Sequence, residues 1–472
     1  MKILFHVDLL TMLRHFDGVL LELAGRGHTI TVAAPERGGV PAPASIRNDP
    51  RIGFVDAPGR RGDRWAESVY ELRVLRDFLR YLEPRFKRAG KLRTRALRKM
   101  LAVATDEERT HVVAKCPSCK ERFVDEDVIQ MLRGSRAGQA KLARLLALME
   151  DTIPSDAAIE RFLLSEHPDV VVVTPLIKFG SYQADIVKSA KALGLPVVFP
   201  VFSWDNLSNK GMVHVHPDRV LVWNERQRAE AAAMHGIDAD QVMVTGAPRF
   251  DAFFAMTPQT SRGEFCAAHD FDAGAPIVAY LCSSEFVAGH EVAFVDRWIR
   301  EIDQVPALAS CNILIRPHPR HHGQWRTFAP PRPRVAVSRP VSIQSDQTLF
   351  ETLHHSAAAV GLNTSAELEA GIAARPVLTI LAPDFSEGQQ GTLHFEYLLK
   401  RHGGFVDVAA DFDEHRRQLE AAVAGNYDAS AIRQFIEHFL RPRGIDRPVA
   451  PIMADVIEQV ATGATEPLET LT

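Results

Sequence analysis

The residues best suited to chemistry are a run of hydroxyls and carboxylates after the apolar stretch AAAVG. It reads Asn363-Thr364-Ser365-Ala366-Glu367-Leu368-Glu369-Ala370. A hydroxyl-bearing turn at the carboxyl end of a buried strand, opening directly into a helix, presents free backbone N–H groups and a positive dipole end to an anion. Thr364 and Glu367 have capping-box spacing, with the threonine as N-cap and the glutamate at N3. That gives Glu367 a structural task and leaves Glu369 without one. Ser365 and Glu369 are four apart and share a helix face. The serine is therefore expected to hold a phosphate and Glu369 a sugar hydroxyl of the same nucleotide; the alternative is a plain capped helix.

Two more strand ends point to the same edge. NILIRPHP places Arg316 and His318 just beyond an apolar strand, in a turn stiffened by Pro317 and Pro319. An arginine supplies a fixed fork of donors for phosphate, and a histidine donates or shares a proton. IVAYLCSS ends in Ser283 and Ser284. Ligands of open α/β sheets bind beyond the carboxyl ends of the strands, so three polar strand ends in one domain suggest one site.

The first half of the chain should supply a proton acceptor. FSWDNLSNKG follows the strand PVVFPVF and sets Asp205 and Asn206 at its carboxyl end. A carboxylate there can serve as general base, and the competing role is a turn residue that bonds nearby amides. His15, with Arg14 beside it as an anion contact, is the second candidate base, and Asp8 the third. Arg249 and Asp251 read as a structural pair, and His394 lies in a glycine-containing loop after PVLTIL, where it can touch a transferred group. Cys116 and Cys119 form half of a zinc site; His111 is a third possible ligand, but the partner pair is missing and no metal is assigned.

The elements that must position these residues alternate regularly. KILFHV, a helix through LLELAGRGH, and TITVAAPE give strand, helix and strand, with Gly25 and Gly27 closing the helix. DVVVVTP, PVVFPVF, RVLVW and QVMVTG follow, lacking polar alternation as buried parallel strands do. After a polar join near Ala255 to Arg262, the pattern restarts with IVAYLCSS, NILIRPHP, VAVS, AAAVGLN and PVLTIL. The expected architecture is α/β, two doubly wound Rossmann-like domains facing a cleft. The first spans 1–255, the second 256–440, and 441–472 forms a C-terminal helix and tail. Residues 60–155 break the rhythm as a helical insertion, with Trp65, Val69, Leu72, Leu75, Leu79 and Leu82 at helical spacing.

Composition sets the outer bounds. In 472 residues, 46% hydrophobic and 24% charged side chains exclude collagen-like, disordered and disulfide-scaffold classes. A net charge of -4 argues against nucleic acid as a partner of the whole chain. No apolar run approaches the roughly 18 residues of a membrane helix. Lys2 to Leu10 reads as a first strand rather than a signal peptide, and five scattered cysteines suit a reducing cytoplasm. Between Arg60 and Lys99, 14 Lys or Arg stand against five acids. This is either a solvated basic face or a peripheral contact, through residues 60–100, with the inner face of a membrane.

The two-domain layout, the GRGH helix end, the RPHP turn and the NTSAELEA turn resemble nucleotide-sugar glycosyltransferases of the GT-B fold, most of all the branch of capsule polysaccharide and CDP-glycerol glycerophosphotransferase proteins. More distantly they resemble UDP-N-acetylglucosamine 2-epimerases. The resemblance covers most of 1–60 and 165–440. It implies that the second domain binds the nucleotide diphosphate and the first the acceptor. Where the CDP-glycerol enzymes carry a His-Gly-Thr turn, this chain has Ser203 to Gly211, so phosphodiester-forming chemistry is not carried over. The expectation is a metal-independent glycosyltransferase without a cofactor. It would move a sugar from a nucleotide-diphosphate donor to a hydroxyl acceptor, glycan or lipid-linked, in surface polysaccharide synthesis. A 2-epimerase and a non-catalytic nucleotide-sugar binder are the alternatives.

Overall fold

The computed structural model describes residues 1–35, 41–103, 105, 107, 136–338 and 346–464. The chain divides into two compact units, one of Met1–Asp251 together with the chain from Phe439 onward, the other of Ala252–His438. The join falls a few residues before the expected polar stretch.

Among the described residues, the first unit holds seven strands: β1 (Lys2–Val7), β2 (Thr29–Ala34), β3 (Ile52–Asp56), β4 (Val170–Thr174), β5 (Val197–Pro200), β6 (Arg219–Val222) and β7 (Val242–Val244). They pair in parallel in the order β3-β2-β1-β4-β5-β6-β7. β4 is buried along its whole length, which is why it reads as an unbroken valine run. The second unit holds β8 (Ile277–Leu281), β9 (Asn312–Arg316), β10 (Val335–Val337), β11 (Ala358–Gly361), β12 (Val377–Ile380) and β13 (Val406–Ala409), parallel in the order β10-β9-β8-β11-β12-β13. Strand order reverses between β1 and β4 in one sheet and between β8 and β11 in the other. These are the switch points where adjacent loops part and leave room for a ligand.

The edge strands β3 and β13 are additions to the sequence reading. β3 has one buried residue in five and β13 carries Asp407, so neither shows the apolar run that marks the central strands. The C-terminal segment also departs from expectation. The helix Val449–Thr462 is part of the first unit, packing Met453, Ala454, Val456 and Ile457 into the core that holds Leu20 and Leu23. Gly246, at φ 108°, makes room for this return; a Cβ there would lie 2.7 Å from Val449 and 2.8 Å from the Leu440 carbonyl. Asp251 does not pair with Arg249. It accepts from Arg441 (2.8 Å) and from the backbone N–H groups of Val449 (2.7 Å) and Ala450 (2.8 Å), capping the returning helix.

Within 60–155 the described elements are helical, chiefly Ala66–Tyr81, Gly90–Val103 and Arg136–Thr152. Val69 and Leu72 pack on Leu146 and Ile153, with Trp65, Leu75 and Leu79 partly buried around them. The basic run is less of a surface than its count suggests. Arg61, Arg73, Arg80 and Arg93 are buried. Arg73 donates to Glu150 (2.8 and 3.1 Å) and to Asp185 (2.8 and 2.9 Å), so the interior pairs its charge as burial requires. Among the described residues, no helix is long and apolar enough to cross a membrane. His111, Cys116 and Cys119 lie outside the described residues.

Candidate functional site

In the second unit, the expected residues gather where β8, β9 and β11 end. Leu281 and Gly361 are register partners across the switch point, so Ser283–Ser284 and Asn363–Ser365 leave the sheet side by side. Arg316 closes β9, the register partner of Leu281 on the other flank of β8. It donates to the Thr348 hydroxyl (2.9 Å). Burial pulls its guanidinium down to about 10, against the opposing pull of Asp346 and Glu369. Burial, with Arg320 and His321 nearby, lowers His318 to about 4, so its imidazole is neutral at pH 7, and its Nδ1 accepts from the Arg320 N–H (3.2 Å).

The NTSAELEA turn differs from the capping-box reading by one position. The helix is short, Ala366–Ile372, with Ser365 rather than Thr364 at the N-cap and no side-chain cap bond. Glu367 therefore falls at N2. It is 1% exposed, its Oε1 has no hydrogen-bond partner, and Oε1 lies 2.8 Å from where a Cβ on residue 361 would be. A Cβ at Gly361 would therefore press on this carboxyl. Burial pushes Glu367 up to about 8, outweighing the Thr364 N–H that bonds it. A second buried carboxyl lies on the same strand ends. Glu291 accepts from the Ser283 N–H (2.9 and 3.2 Å) and the Tyr280 hydroxyl (3.2 Å), and burial raises it to about 8. The Ser283 hydroxyl is fully buried without a partner.

Gln389 holds the loop above this edge. Its amide nitrogen donates to the carbonyls of Leu362 and Ile380 (2.9 Å each), and its oxygen accepts from the Ala382 N–H (3.1 Å). Asn363 donates to the Gly388 carbonyl (2.7 Å), and Gly388 sits so close to Val287 that a Cβ would approach its oxygen to 2.5 Å. His394 is buried at the start of the helix Phe395–Leu398. Glu291, Gln389 and Thr348 escaped the sequence reading because their partners lie outside the three- and four-residue spacings that a helix or turn pattern reveals. A recess of this unit lies at the other edge, lined by Arg262, Pro276, Ile277, His355 and Arg375. It borders the amino end of β8, so the strand-end rule gives it no ligand.

In the first unit, the switch point is marked by an ion pair. Asp8 follows β1, Lys178 follows β4, and the two side chains are in contact. Burial and the nearby Lys210 lower the Lys178 ammonium. Lys178 was legible by the strand-end rule applied to β4 and was missed. His15 closes the short helical turn Leu10–His15 and meets Phe202 edge-on, ring centres 5.1 Å apart. Phe202 and Asp205 share the loop after β5, so the structure brings His15 and Asp205 to the same edge. The Asp205 carboxylate accepts from Ser203 (2.6 Å), Asn206 (3.3 Å) and Asn209 (2.7 Å), with Lys210 at 3.9 Å. Its two oxygens thereby tie its own turn together.

No family model and no curated protein matches this sequence. Solved structures do match in fold. A candidate UDP-N-acetylglucosamine 2-epimerase from Listeria monocytogenes superposes with a TM-score of 0.54 at 10% identity, covering 99% of this chain and 98% of that one. The S. aureus MnaA–UDP co-structure gives 0.53 at 10% identity, with 98% and 97% covered. A glycosyltransferase from Rickettsia africae gives 0.52 at 10% identity, with 97% and 98% covered. The chain has the GT-B type of α/β fold. At this identity the likeness reaches the fold and stops short of the capsule polysaccharide branch.

Proposed function

We propose that the chain is a glycosyltransferase that takes a sugar from a nucleotide-diphosphate donor and passes it to a hydroxyl acceptor, glycan or lipid-linked. The observation that carries this reading is the β8/β11 switch point. There Ser283, Ser284, Thr364 and Ser365 flank the parting strands, and Arg316 ends β9 beside them. Arg316 and the backbone N–H groups of the turn at Thr364–Ser365 would receive the diphosphate and stabilise it as it leaves, standing where other enzymes place a divalent ion. Glu369 would accept a ribose hydroxyl, and His318 would contact the phosphates as a neutral donor.

The first unit would hold the acceptor. A base must take the acceptor's proton as the new glycosidic bond forms and the bond to the diphosphate breaks. Three donors of its own turn hold the Asp205 carboxylate in place, so of the two candidate bases His15 is preferred for the role and Asp205 for a positioning one. Incubation with nucleoside-diphosphate sugars, with and without a glycan or lipid-linked acceptor, tests the reading through release of the nucleoside diphosphate. Acceptor-dependent release supports it. Inversion at the sugar C2 without an acceptor would replace it with the epimerase reading, and binding without turnover would leave a non-catalytic binder.

A further inference from the structure

The helix Arg136–Thr152 has two apolar sides and buries only one. Leu146 packs against Val69, Leu72 and Ile153, and Glu150 turns inward onto Arg73. The other side exposes Leu142 (39%), Leu145 (53%), Leu148 (57%) and Met149 (48%). Steps of three and four residues put these on one face. They are four of the seven large apolar side chains that the described residues expose, so this is a patch and not the ordinary scatter of surface leucines.

The charge around the row selects its occupant. Lys141 and Arg144 are exposed on the same helix, against one exposed acid, Asp151, in its last turn. The run 84–103, whose helix Gly90–Val103 packs on Ala66–Tyr81 as Arg136–Thr152 also does, has eight Lys or Arg and no acid, and Arg85, Lys87, Arg88, Arg98 and Lys99 are exposed. A protein interface of ordinary size needs about 800 Å² on each partner and is depleted in lysine, whereas one half-exposed row of four side chains offers about 400 Å². An apolar row with Lys141 and Arg144 on its own face, their stems able to lie along it, is instead the composition of an interfacial helix on an anionic bilayer.

We propose that this face of the insertion docks on an anionic lipid surface, with Leu142, Leu145, Leu148 and Met149 entering the head-group boundary and Lys141 and Arg144 meeting the head groups. The inference is independent of the nucleotide-binding reading, because neither the strand-end residues nor turnover enters it. Co-sedimentation of the full chain with neutral phosphatidylcholine vesicles and with vesicles containing phosphatidylglycerol, at low and high salt, is the test. Binding to the anionic vesicles alone, released by salt, is expected. Leu145→Asp with Leu148→Asp should weaken it about tenfold or more without lowering the melting temperature, since both side chains are exposed in the free protein. Absence of binding, equal binding to both vesicle types, or undiminished binding of the double variant each overturns the proposal. A dimer that dissociates on Leu145→Asp would assign the face to a second copy of the chain and overturn it as well.

Discussion

Replacing Glu367 by glutamine should abolish the pH dependence that this one buried carboxyl imposes on the second unit. Burial holds Glu367 at about 8 in the folded chain, against an ordinary value of 4.5. Between these values the folded state keeps a proton that the unfolded state has released, so stability falls as pH rises. The slope is about 1.4 kcal/mol per pH unit for one proton, which sets a ceiling of about 5 kcal/mol across the window. Below pH 4.5 both states are protonated and the contribution is level. Glutamine fills the same space, still accepts the Thr364 N–H and cannot ionise. Near pH 5 the variant should match wild type to within about 1 kcal/mol. At pH 8 it should be the more stable by a few kcal/mol. Hydrogen exchange of the β8 and β11 amides reads this out, because the variant-to-wild-type ratio at each pH cancels the intrinsic chemical rate. A ratio that stays constant from pH 5 to 8 would refute the argument, showing that Glu367 is already ionised in the folded unit.

Three further outcomes follow from the same geometry. Glu369→Ala should weaken binding of a nucleoside diphosphate about tenfold or more, whereas Glu367→Gln should leave it nearly unchanged near pH 6; calorimetric titration of both variants makes the comparison, and equal losses would merge the two roles. His15→Gln should lower turnover by about 10²–10⁴-fold with donor affinity preserved, while Asp205→Asn, which keeps a turn-forming side chain, should cost far less; the opposite ranking in steady-state rates would return the base to Asp205. Arg73→Met should destabilise the first unit by about 2 kcal/mol or more, because Glu150 and Asp185 lose their shared partner and keep only Lys188 and Arg61, and urea unfolding measures it.

The central strands were legible because burial on both faces removes polar alternation, and DVVVVTP or NILIRPHP admits little else. β3 and β13 were not, since edge strands with one exposed face and residues such as Asp407 lack that signature. The strand-end rule singles out Ser283, Arg316, Ser365 and Asp205, and the strand order shows which of these ends lie at or beside a switch point. The rule was not carried to Lys178, the strand-end residue that pairs with Asp8. Glu367 had a local explanation in the sequence, a capping box. Three-dimensional packing moved the cap to Ser365 and set the carboxyl over Gly361, a contact no spacing reveals. The same holds for the arginines of the insertion. A count of 14 basic residues suggests a surface, yet Arg73 is an interior residue because Glu150 and Asp185, far along the chain, meet it there.

The central claim is that the carboxyl edge of the second unit's sheet, at β8, β9 and β11, receives a nucleoside diphosphate. Hydrogen exchange of the whole chain with and without UDP, and with other nucleoside diphosphates in turn, tests it most directly. At least one nucleotide should slow exchange in the segments 282–285, 316–321 and 362–368 together. Arg316→Ala should remove that protection while leaving the β8 and β11 core amides as slow as before. Protection elsewhere in the chain, or protection that survives Arg316→Ala undiminished, would contradict the placement, as would the absence of any effect from every nucleotide.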